Sequence, residues 1–347
     1  MSRPLPVLAF ALAALLPAGL ILWGSLSGGW VAVLALIYMT GFALLLDQMV
    51  PFVAENAPEG SEFPAANGLL VALGLAHLVC VPLSVWAIAG ESGLSTGAKV
   101  ALFFGCSLWM GQVSNAVGHE LIHRGNRWLF RLGALIFATH LFGHHASAHR
   151  LVHHIHAASA ADPNSARRGE GFYRFYLRAW HGSFVQGFQA EAARGRAVHP
   201  YVWYGLASAL SLMAGYVLAG WAGVLVWSGL ALHAQAQLLL SDYVQHYGLQ
   251  RRMRADGRLE PVGVAHSWNA PHWFSGAFML NAPRHSDHHA HPSRPYPALR
   301  LPAGDEAPML PLPLPFCCTV ALSPRLWRRM IHPHLKRWQA VAEDTIS

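Results

Sequence analysis

Long apolar runs are the feature that most restricts how this chain can fold. A run of about 20 apolar residues is long enough to cross the hydrocarbon core of a bilayer as a helix. Hydrophobic residues make up 54% of the sequence and charged ones only 12%, which is a poor composition for a soluble surface. We therefore expect an all-α integral membrane protein with a single domain over residues 1–347. The six predicted spans are residues 5–26, 29–50, 67–90, 98–118, 201–219 and 221–241.

A further apolar segment, residues 128–143, decides the predicted topology. It is shorter than the six spans and is flanked by Arg127 and by a histidine cluster. Six crossings would put both termini and every later histidine cluster on one side of the membrane, whereas a seventh would separate the clusters. We therefore expect a six-helix bundle in which residues 128–143 are embedded or re-entrant. Residues 243–347 are polar and rich in Arg and Pro, and should form a cap.

The uneven charge distribution predicts the orientation. Of the 24 Lys and Arg residues, only Arg3 and Lys99 precede residue 119. Because cytoplasmic loops of membrane proteins carry an excess of Lys and Arg, the region from His119 onward and both termini should be cytoplasmic in an inner (plasma) membrane. A formal charge of +7 can also indicate nucleic-acid binding, but here the basic residues are spread through a region attached to apolar spans. We expect no nucleic-acid partner.

Three groups among the 22 histidines have the spacing of metal ligands. Side chains three or four residues apart share one face of a helix, and neutral imidazoles on one face offer nitrogen donors to iron or zinc. A lone histidine near a membrane surface is usually an ordinary polar residue, but three groups together indicate a metal site. The grouped histidines are His119 and His123; His149, His153 and His154; and His285, His288 and His289.

Other classes of metal protein fit only part of this pattern. The segment HELIH at 119–123 matches the HExxH motif of zinc proteases, in which the Glu is a general base. An intramembrane zinc protease would also need an Asp ligand from a later apolar segment, and the later Asp256-Gly257 lies in a charged loop. A haem protein needs two facing histidines and leaves most of the others unexplained. A metal transporter would distribute its ligands along the spans at membrane depth.

Five motifs together resemble the membrane alkane 1-monooxygenase family, within the wider group of integral-membrane histidine-rich di-iron hydroxylases and desaturases. They are HELIHR at 119–124, HRLVHH at 149–154, DPNSARRGE at 162–170, QHYGL at 245–249 and RHSDHHAHPSRPY at 284–296. The resemblance covers most of the chain from about residue 100. It implies a six-helix membrane bundle with a cytoplasmic site in which nine histidines hold two irons. By motif position these are His119, His123, His149, His153, His154, His246, His285, His288 and His289.

The motifs also depart from the family's pattern beside the matched histidines. The second motif usually begins Glu-His and has a Gly before its paired histidines, where this chain has Ala148 and Val152. The usual Glu before the HYG histidine is Gln245, and the usual Leu-Gln-Arg of the last motif is residues 282–284, Ala-Pro-Arg. These differences favour the related hydroxylases of arene methyl groups slightly.

The resemblance implies that two reduced irons activate O2 and that one oxygen atom enters a terminal C–H bond of an apolar hydrocarbon. Such a substrate should reach the site from the lipid phase. Arene-methyl hydroxylation and fatty acyl desaturation or hydroxylation are the alternatives, since spacing alone does not divide these chemistries. Glu120, Asp242 and Asp287 are expected to orient ligand imidazoles.

Electrons for this reaction must come from a separate protein. The chain has no CxxC pair and no Gly-rich dinucleotide fingerprint. The resemblance implies a rubredoxin with its reductase, whereas the arene-methyl branch would suggest a ferredoxin-type iron–sulfur donor. Either carrier is expected to be acidic and to meet exposed arginines by charge complementarity. The candidate arginines are Arg167, Arg168, Arg251, Arg252, Arg254 and those between Arg325 and Arg337.

Overall fold

The computed structural model of the chain describes residues 5–50, 52–303 and 305–344, and across these residues it contains helices and no β-strand. The predicted all-α class is therefore confirmed. The two termini were predicted to be cytoplasmic. Their residues 1–4 and 345–347 lie outside the described residues. The helices are α1 (Val7–Ser27), α2 (Val31–Met49), α3 (Ala65–Ala89), α4 (Thr96–Ile122), α5 (Arg127–Thr139), α6 (residues 145–156), α7 (Phe172–Ala192), α8 (Pro200–His246), α9 (Trp273–Phe278), α10 (His285–Ala290), α11 (Leu314–Ala321) and α12 (Pro324–Asp344).

Five of these helices, α1, α2, α3, α4 and α8, are long and apolar enough to cross a membrane. The first three agree with the predicted spans to within a few residues. Two others run further than predicted, since α4 continues to Ile122 and α8 continues to His246. Their extra turns carry His119 and His246 as parts of rigid helices, where the sequence suggested that these residues follow the spans.

Helix α8 folds back on itself near its middle. Ala219 has a non-helical φ of −158° and Gly220 a left-handed φ of 59°. In a straight helix, residues eight apart are separated by about 12 Å, yet a Cβ atom on Gly223 would clash with the carbonyl oxygen of Gly215. The two halves, residues 200–218 and 221–246, therefore pack against each other as a hairpin. This break lies where the sequence predicts it.

The apolar segment after the fourth span forms a short helix that packs beside α4. Helix α5 begins after Asn126, whose side-chain oxygen accepts a hydrogen bond from the Trp128 amide at 2.8 Å. Its 13 residues span about 20 Å, which is less than the ~30 Å hydrocarbon core. A Cβ atom on Gly133 would lie 2.8 Å from the carbonyl oxygen of Gly118, so the two helix backbones are in close contact.

Helix α7 is an element for which the sequence interpretation gave no prediction. It buries Phe175 and Ala179 against the rest of the protein, while Tyr173 and Leu177 are exposed on its other face. The spacing of these residues is helical, and that periodicity was the available signal. Apolar side chains on an exposed face suit a helix at a membrane surface.

The residues that follow α8 pack over one end of the long helices. Asp47, at the end of α2, accepts hydrogen bonds from the backbone amides of Phe274 at 2.9 Å and Ser275 at 3.2 Å, which open α9. Tyr296 places its ring 5.0 Å from that of Phe10 near the start of α1. The chain after His246 therefore lies at the end of the bundle where α2 and α4 finish.

The hairpin in α8 generates a stability prediction. Gly223→Ala should lower the midpoint of thermal unfolding in detergent, because overpacking costs about 1–3 kcal/mol. Gly205→Ala in the same helix is the matched control, since a Cβ there meets nothing within 4 Å. An unchanged midpoint for Gly223→Ala would contradict the close packing of the two halves.

Candidate metal centre

The end of α4 carries the first pair of candidate ligands. His119 and His123 are one helical turn apart, with ring centroids 5.0 Å from each other. The Nε2 atoms of both rings are buried and have no hydrogen-bond partner in the described part of the chain. Buried polar atoms without a partner are rare in folded proteins, so these two nitrogens are candidates for metal donors.

A π-helical turn in α6 separates the three histidines of the second motif. Residues His149–His153 form this wider turn, which brings His149 beside His154, five positions later, with their Nε2 atoms 3.0 Å apart. His153 projects elsewhere and places its ring centroid 4.8 Å from that of His246. In a regular α-helix the i, i+4 spacing would align His149 with His153, but the π-turn aligns His149 with His154 instead.

Helix α10 also supplies both parts of the site. The Nε2 atoms of His285 and His289, one α-helical turn apart, are separated by 3.1 Å. His288 instead places its Nε2 atom 3.1 Å from that of His154. The prediction that these three rings share one face as a single group of donors is therefore wrong, since the helix lies between two groups. His246, at the end of α8, joins the pair with its Nε2 atom 3.0 Å from that of His285.

The structure brings all nine sequence-predicted histidines into two adjacent groups. Within each group the candidate donor atoms lie within 4.8 Å of one another. The groups adjoin, because the rings of His154 and His289, one from each, are stacked with centroids 4.5 Å apart. The first group is His119, His123, His149, His154 and His288, and the second is His153, His246, His285 and His289.

Burial keeps most of these donors neutral. Removal from water, reinforced by neighbouring imidazoles, lowers the pKa of six of the rings well below the usual value. A neutral imidazole presents a lone pair on one nitrogen, which is the form that binds a metal. These six rings are His123, His149, His154, His285, His288 and His289.

Two candidate ligands are oriented through their second ring nitrogen. The Nδ1–H of His153 donates to the Oδ2 atom of buried Asp162 at 2.9 Å, and the Nδ1–H of His246 donates to the carbonyl oxygen of His266 at 3.2 Å. Burial alone would lower the pKa of His153, but the Asp162 carboxylate raises it above the usual value. Such contacts leave Nε2 for a metal and fix the plane of the ring.

Asp162 is the orienting residue that the sequence reasoning missed. It opens the DPNSARRGE run, so the motif was recognised but no role was given to its carboxylate. The hydroxyl of Ser165 donates to the same oxygen of Asp162 at 2.6 Å, and the backbone amide of Asn164 donates to the other carboxylate oxygen at 3.0 Å. The local turn therefore fixes the carboxylate before it meets His153.

The three carboxylates proposed for this orienting role make other contacts. Glu120 pairs with Arg124 at 2.6 Å and accepts from the Tyr296 amide at 3.2 Å, while Asp242 accepts from the Asn164 side chain at 2.7 Å. Asp287 accepts from His291 at 3.1 Å, from the Arg294 guanidinium and from the amide of residue 300. These three carboxylates therefore hold the segments around the site in place. None of the hydrogen bonds named here joins one of them to a candidate ligand ring.

The donor set fits two transition-metal ions. With metal–nitrogen distances of about 2.1 Å, donors at right angles around one ion would be ~3.0 Å apart, close to the spacings of 3.0–3.1 Å between Nε2 atoms here. Imidazole nitrogens suit iron, zinc, copper and nickel, so the donors alone leave the metal open. In the described residues both groups consist of histidines alone, without the bridging Glu residues of soluble di-iron bundles.

A cavity of about 530 Å³ connects the two groups with the membrane-spanning part of the protein. At one end it is lined by His119 and His149 of the first group and by His285 of the second. Its walls continue between α2, α4, the second half of α8 and α11, and they are largely apolar. Both the volume and the lining are typical of a site for a small apolar molecule.

Comparisons with known proteins agree with this site. A family model described as fatty acid desaturase matches residues 96–316. The chain is 31% identical over 320 residues to alkane 1-monooxygenase 2 of Pseudomonas aeruginosa, covering 87% of this chain and 84% of that protein. It is 32% identical over 325 residues to alkane 1-monooxygenase 1 of the same organism, covering 88% and 84%. It is also 30% identical over 265 residues to the hydroxylase component of a xylene/toluene monooxygenase from Pseudomonas putida, covering 72% and 68%.

The resemblance noted in the motifs is therefore confirmed over most of the chain. The matches to the two Pseudomonas aeruginosa relatives extend well beyond the histidine motifs, since they cover 87% and 88% of this chain. On these grounds the chain belongs to the alkane 1-monooxygenase family of non-haem di-iron monooxygenases.

Proposed function

We propose that the protein hydroxylates a terminal methyl group of an apolar hydrocarbon with O2, at a di-iron centre in the two histidine groups. The observation that carries this proposal is the position of the groups, which meet the end of one largely apolar cavity. The relatives named as alkane 1-monooxygenases support the substrate class. The proposed iron ligands are His119, His123, His149, His153, His154, His246, His285, His288 and His289.

The side chains of the protein prepare and shield this reaction. Iron bound by the two groups would supply the oxidation chemistry, in which a C–H bond, O2, two electrons and two protons give an alcohol and water. Asp162 and the carbonyl oxygen of His266 hold two of the proposed ligand rings in place. The largely apolar cavity wall binds the hydrocarbon chain, directs its end to the histidines and limits access of water.

We also propose that the chain forms a single domain with six membrane crossings in the inner membrane. The hairpin at Gly220 divides α8 into two antiparallel crossings, and α5 is too short to add another. The metal centre and residues 243–347 would then be cytoplasmic, as the abundance of Arg on that side favours.

Arene-methyl hydroxylation is the second candidate, because the xylene/toluene monooxygenase component is also similar to this chain. Fatty acyl desaturation is a third, suggested by the description of the matching family model. A zinc protease fits poorly. The Glu of its HExxH motif must be free to act as a base, whereas Glu120 is held by Arg124 at 2.6 Å and by the Tyr296 amide.

An acidic electron carrier, rubredoxin-like or ferredoxin-type, is the proposed partner. Tyr247 directly follows the proposed ligand His246, and its hydroxyl lies 3.0 Å from Nε2 of half-buried His332 on α12. Burial, together with nearby Arg168 and Arg328, lowers the pKa of His332. Positive charge therefore surrounds a short path from the surface to the metal centre, and this is where we place the docking site.

The first prediction for this function concerns the metal. The purified protein should contain two irons per chain without stoichiometric zinc. His123→Ala in the first group or His289→Ala in the second should reduce bound iron and abolish oxygenation, because each removes a metal–nitrogen bond. His181→Ala, an exposed histidine on α7, is the matched control and should retain both iron and activity. A single zinc in the wild-type protein would contradict the proposal.

The second prediction concerns the reaction. Cells that express the protein and a suitable electron donor should convert an n-alkane into its terminal alcohol, as detected by gas chromatography and mass spectrometry. Parallel cultures given p-xylene or an acyl thioester test the two alternatives. Formation of 4-methylbenzyl alcohol from p-xylene, with no alkanol from the n-alkane, would favour the arene-methyl reaction. An alkene from the thioester, with no alcohol from either hydrocarbon, would exclude the proposed hydroxylation.

The third prediction concerns the partner. At limiting carrier, turnover should fall steeply with salt, because screening shortens the Debye length to about 8 Å at physiological ionic strength. Turnover should recover when the carrier is saturating. The Arg168→Glu/Arg328→Glu protein should show a severalfold higher KM for the carrier and a weaker salt dependence. Arg131→Glu, at an exposed arginine on α5, is the control. NADH-driven turnover without any carrier would contradict the need for a partner.

A further inference from the structure

One wall of the cavity is polar at membrane depth. Gln112 on α4 and His233 and Gln237 on α8 line the cavity far from the histidine groups. Gln112 lies seven residues before His119, and His233 lies thirteen before His246. At 1.5 Å per residue they are roughly 10 and 20 Å from the metal centre along their helices. Polar side chains at this depth are costly and usually functional.

These side chains form one hydrogen-bonded cluster with Ser107. The Nδ1 atom of His233 lies 2.7 Å from the hydroxyl of Ser107, and the Gln237 amide donates to the Ser107 carbonyl oxygen at 2.8 Å. Gln112 donates to Gln237 at 3.5 Å. Gly111 lies in a π-helical turn of α4, and a side chain there would clash with Gln237, so glycine permits this close approach.

The cluster retains unused hydrogen-bonding capacity. In the described part of the chain, Nε2 of His233 has no partner, and Oε1 of Gln112 is buried without one. Polar contacts can hold membrane helices together, and the bonds of Ser107 to His233 and Gln237 serve that purpose between α4 and α8. That role does not account for the two unused atoms beside the cavity.

We propose that the cavity accepts an alkyl chain that carries a neutral oxygen group, a hydroxyl or an ester, at the end opposite the oxidised methyl. This deepens the proposed function and rests on it. A plain alkane offers no hydrogen bond to the unused atoms of the polar wall. An oxygen that reaches the depth of this cluster can exchange hydrogen bonds with His233 and Gln112. Recognition of a polar group discriminates more strongly than the contacts of additional methylenes.

The charge of the lining restricts this terminal group further. In the part of the chain that the structure describes, no Lys or Arg lines the cavity. A carboxylate would therefore be buried without a cation, at a high desolvation cost. A hydroxyl or ester meets the neutral amide and imidazole groups without that penalty, so fatty alcohols fit this cavity better than fatty acids do.

The test compares hexadecane, hexadecanol and hexadecanoate as ligands of the protein in lipid nanodiscs, because a 16-carbon chain is long enough to reach His233 from the metal centre. Binding is measured by the shift in thermal unfolding, and turnover by product analysis with an electron carrier present. Wild-type protein should bind hexadecanol about five- to tenfold more tightly than hexadecane, the effect of one net hydrogen bond, and should not prefer hexadecanoate. His233→Phe, which preserves a ring beside Phe104, and Gln112→Leu should each bring this ratio toward one. His181→Ala should leave it unchanged.

Two results would overturn the inference. One is a wild-type preference for hexadecane or for hexadecanoate over hexadecanol. The other is a hexadecanol-to-hexadecane affinity ratio that neither substitution changes, including a case in which both only lower the unfolding temperature, since the cluster would then serve helix packing alone. Preferred binding of hexadecanol, with no oxidation of either compound by iron-loaded protein supplied with an electron carrier, would contradict the proposed function and leave this binding inference standing.

Discussion

The concentration of neutral imidazoles in one buried region is the constraint on which the structure depends. Nine rings converge on two groups, and several of their buried nitrogens have no protein partner in the described residues. An unsatisfied buried polar atom costs about 1–3 kcal/mol. A fold that collects so many such atoms is stabilised when metal ions bind them, so we expect metal binding and folding of this region to be coupled.

Local helix geometry divides the rings between the groups. In an α-helix, positions i and i+4 share a face, but in a π-turn positions i and i+5 come together. This turn unites His149 with His154 and sends His153 to the other group. Helix α10 is regular, and there His285 and His289 remain together while His288 reaches across. Two helices thus each contribute to both groups and link them mechanically.

The proposed contacts in the cavity would make this enzyme selective within an apolar environment. Methylene contacts alone give weak discrimination, because each is worth only ~1–3 kcal/mol. The polar wall between α4 and α8 introduces a second kind of contact at a fixed distance from the histidines. Since that distance follows from helix rise, the two long helices would, under our proposal, fix the distance between the reacting end and the opposite end of a bound chain.

The sequence alone determined the helical membrane class and eight of the nine candidate histidines, because hydrophobic length and residue spacing are local properties. His246 was added only because its motif resembles that of the family. It did not reveal which ring belongs to which group, since a π-turn depends on the packing around it. The role of Asp162 and the other contacts of Glu120, Asp242 and Asp287 were also hidden. These contacts, like the polar wall, join segments up to 176 residues apart. Only the tertiary structure brings such segments within hydrogen-bonding distance.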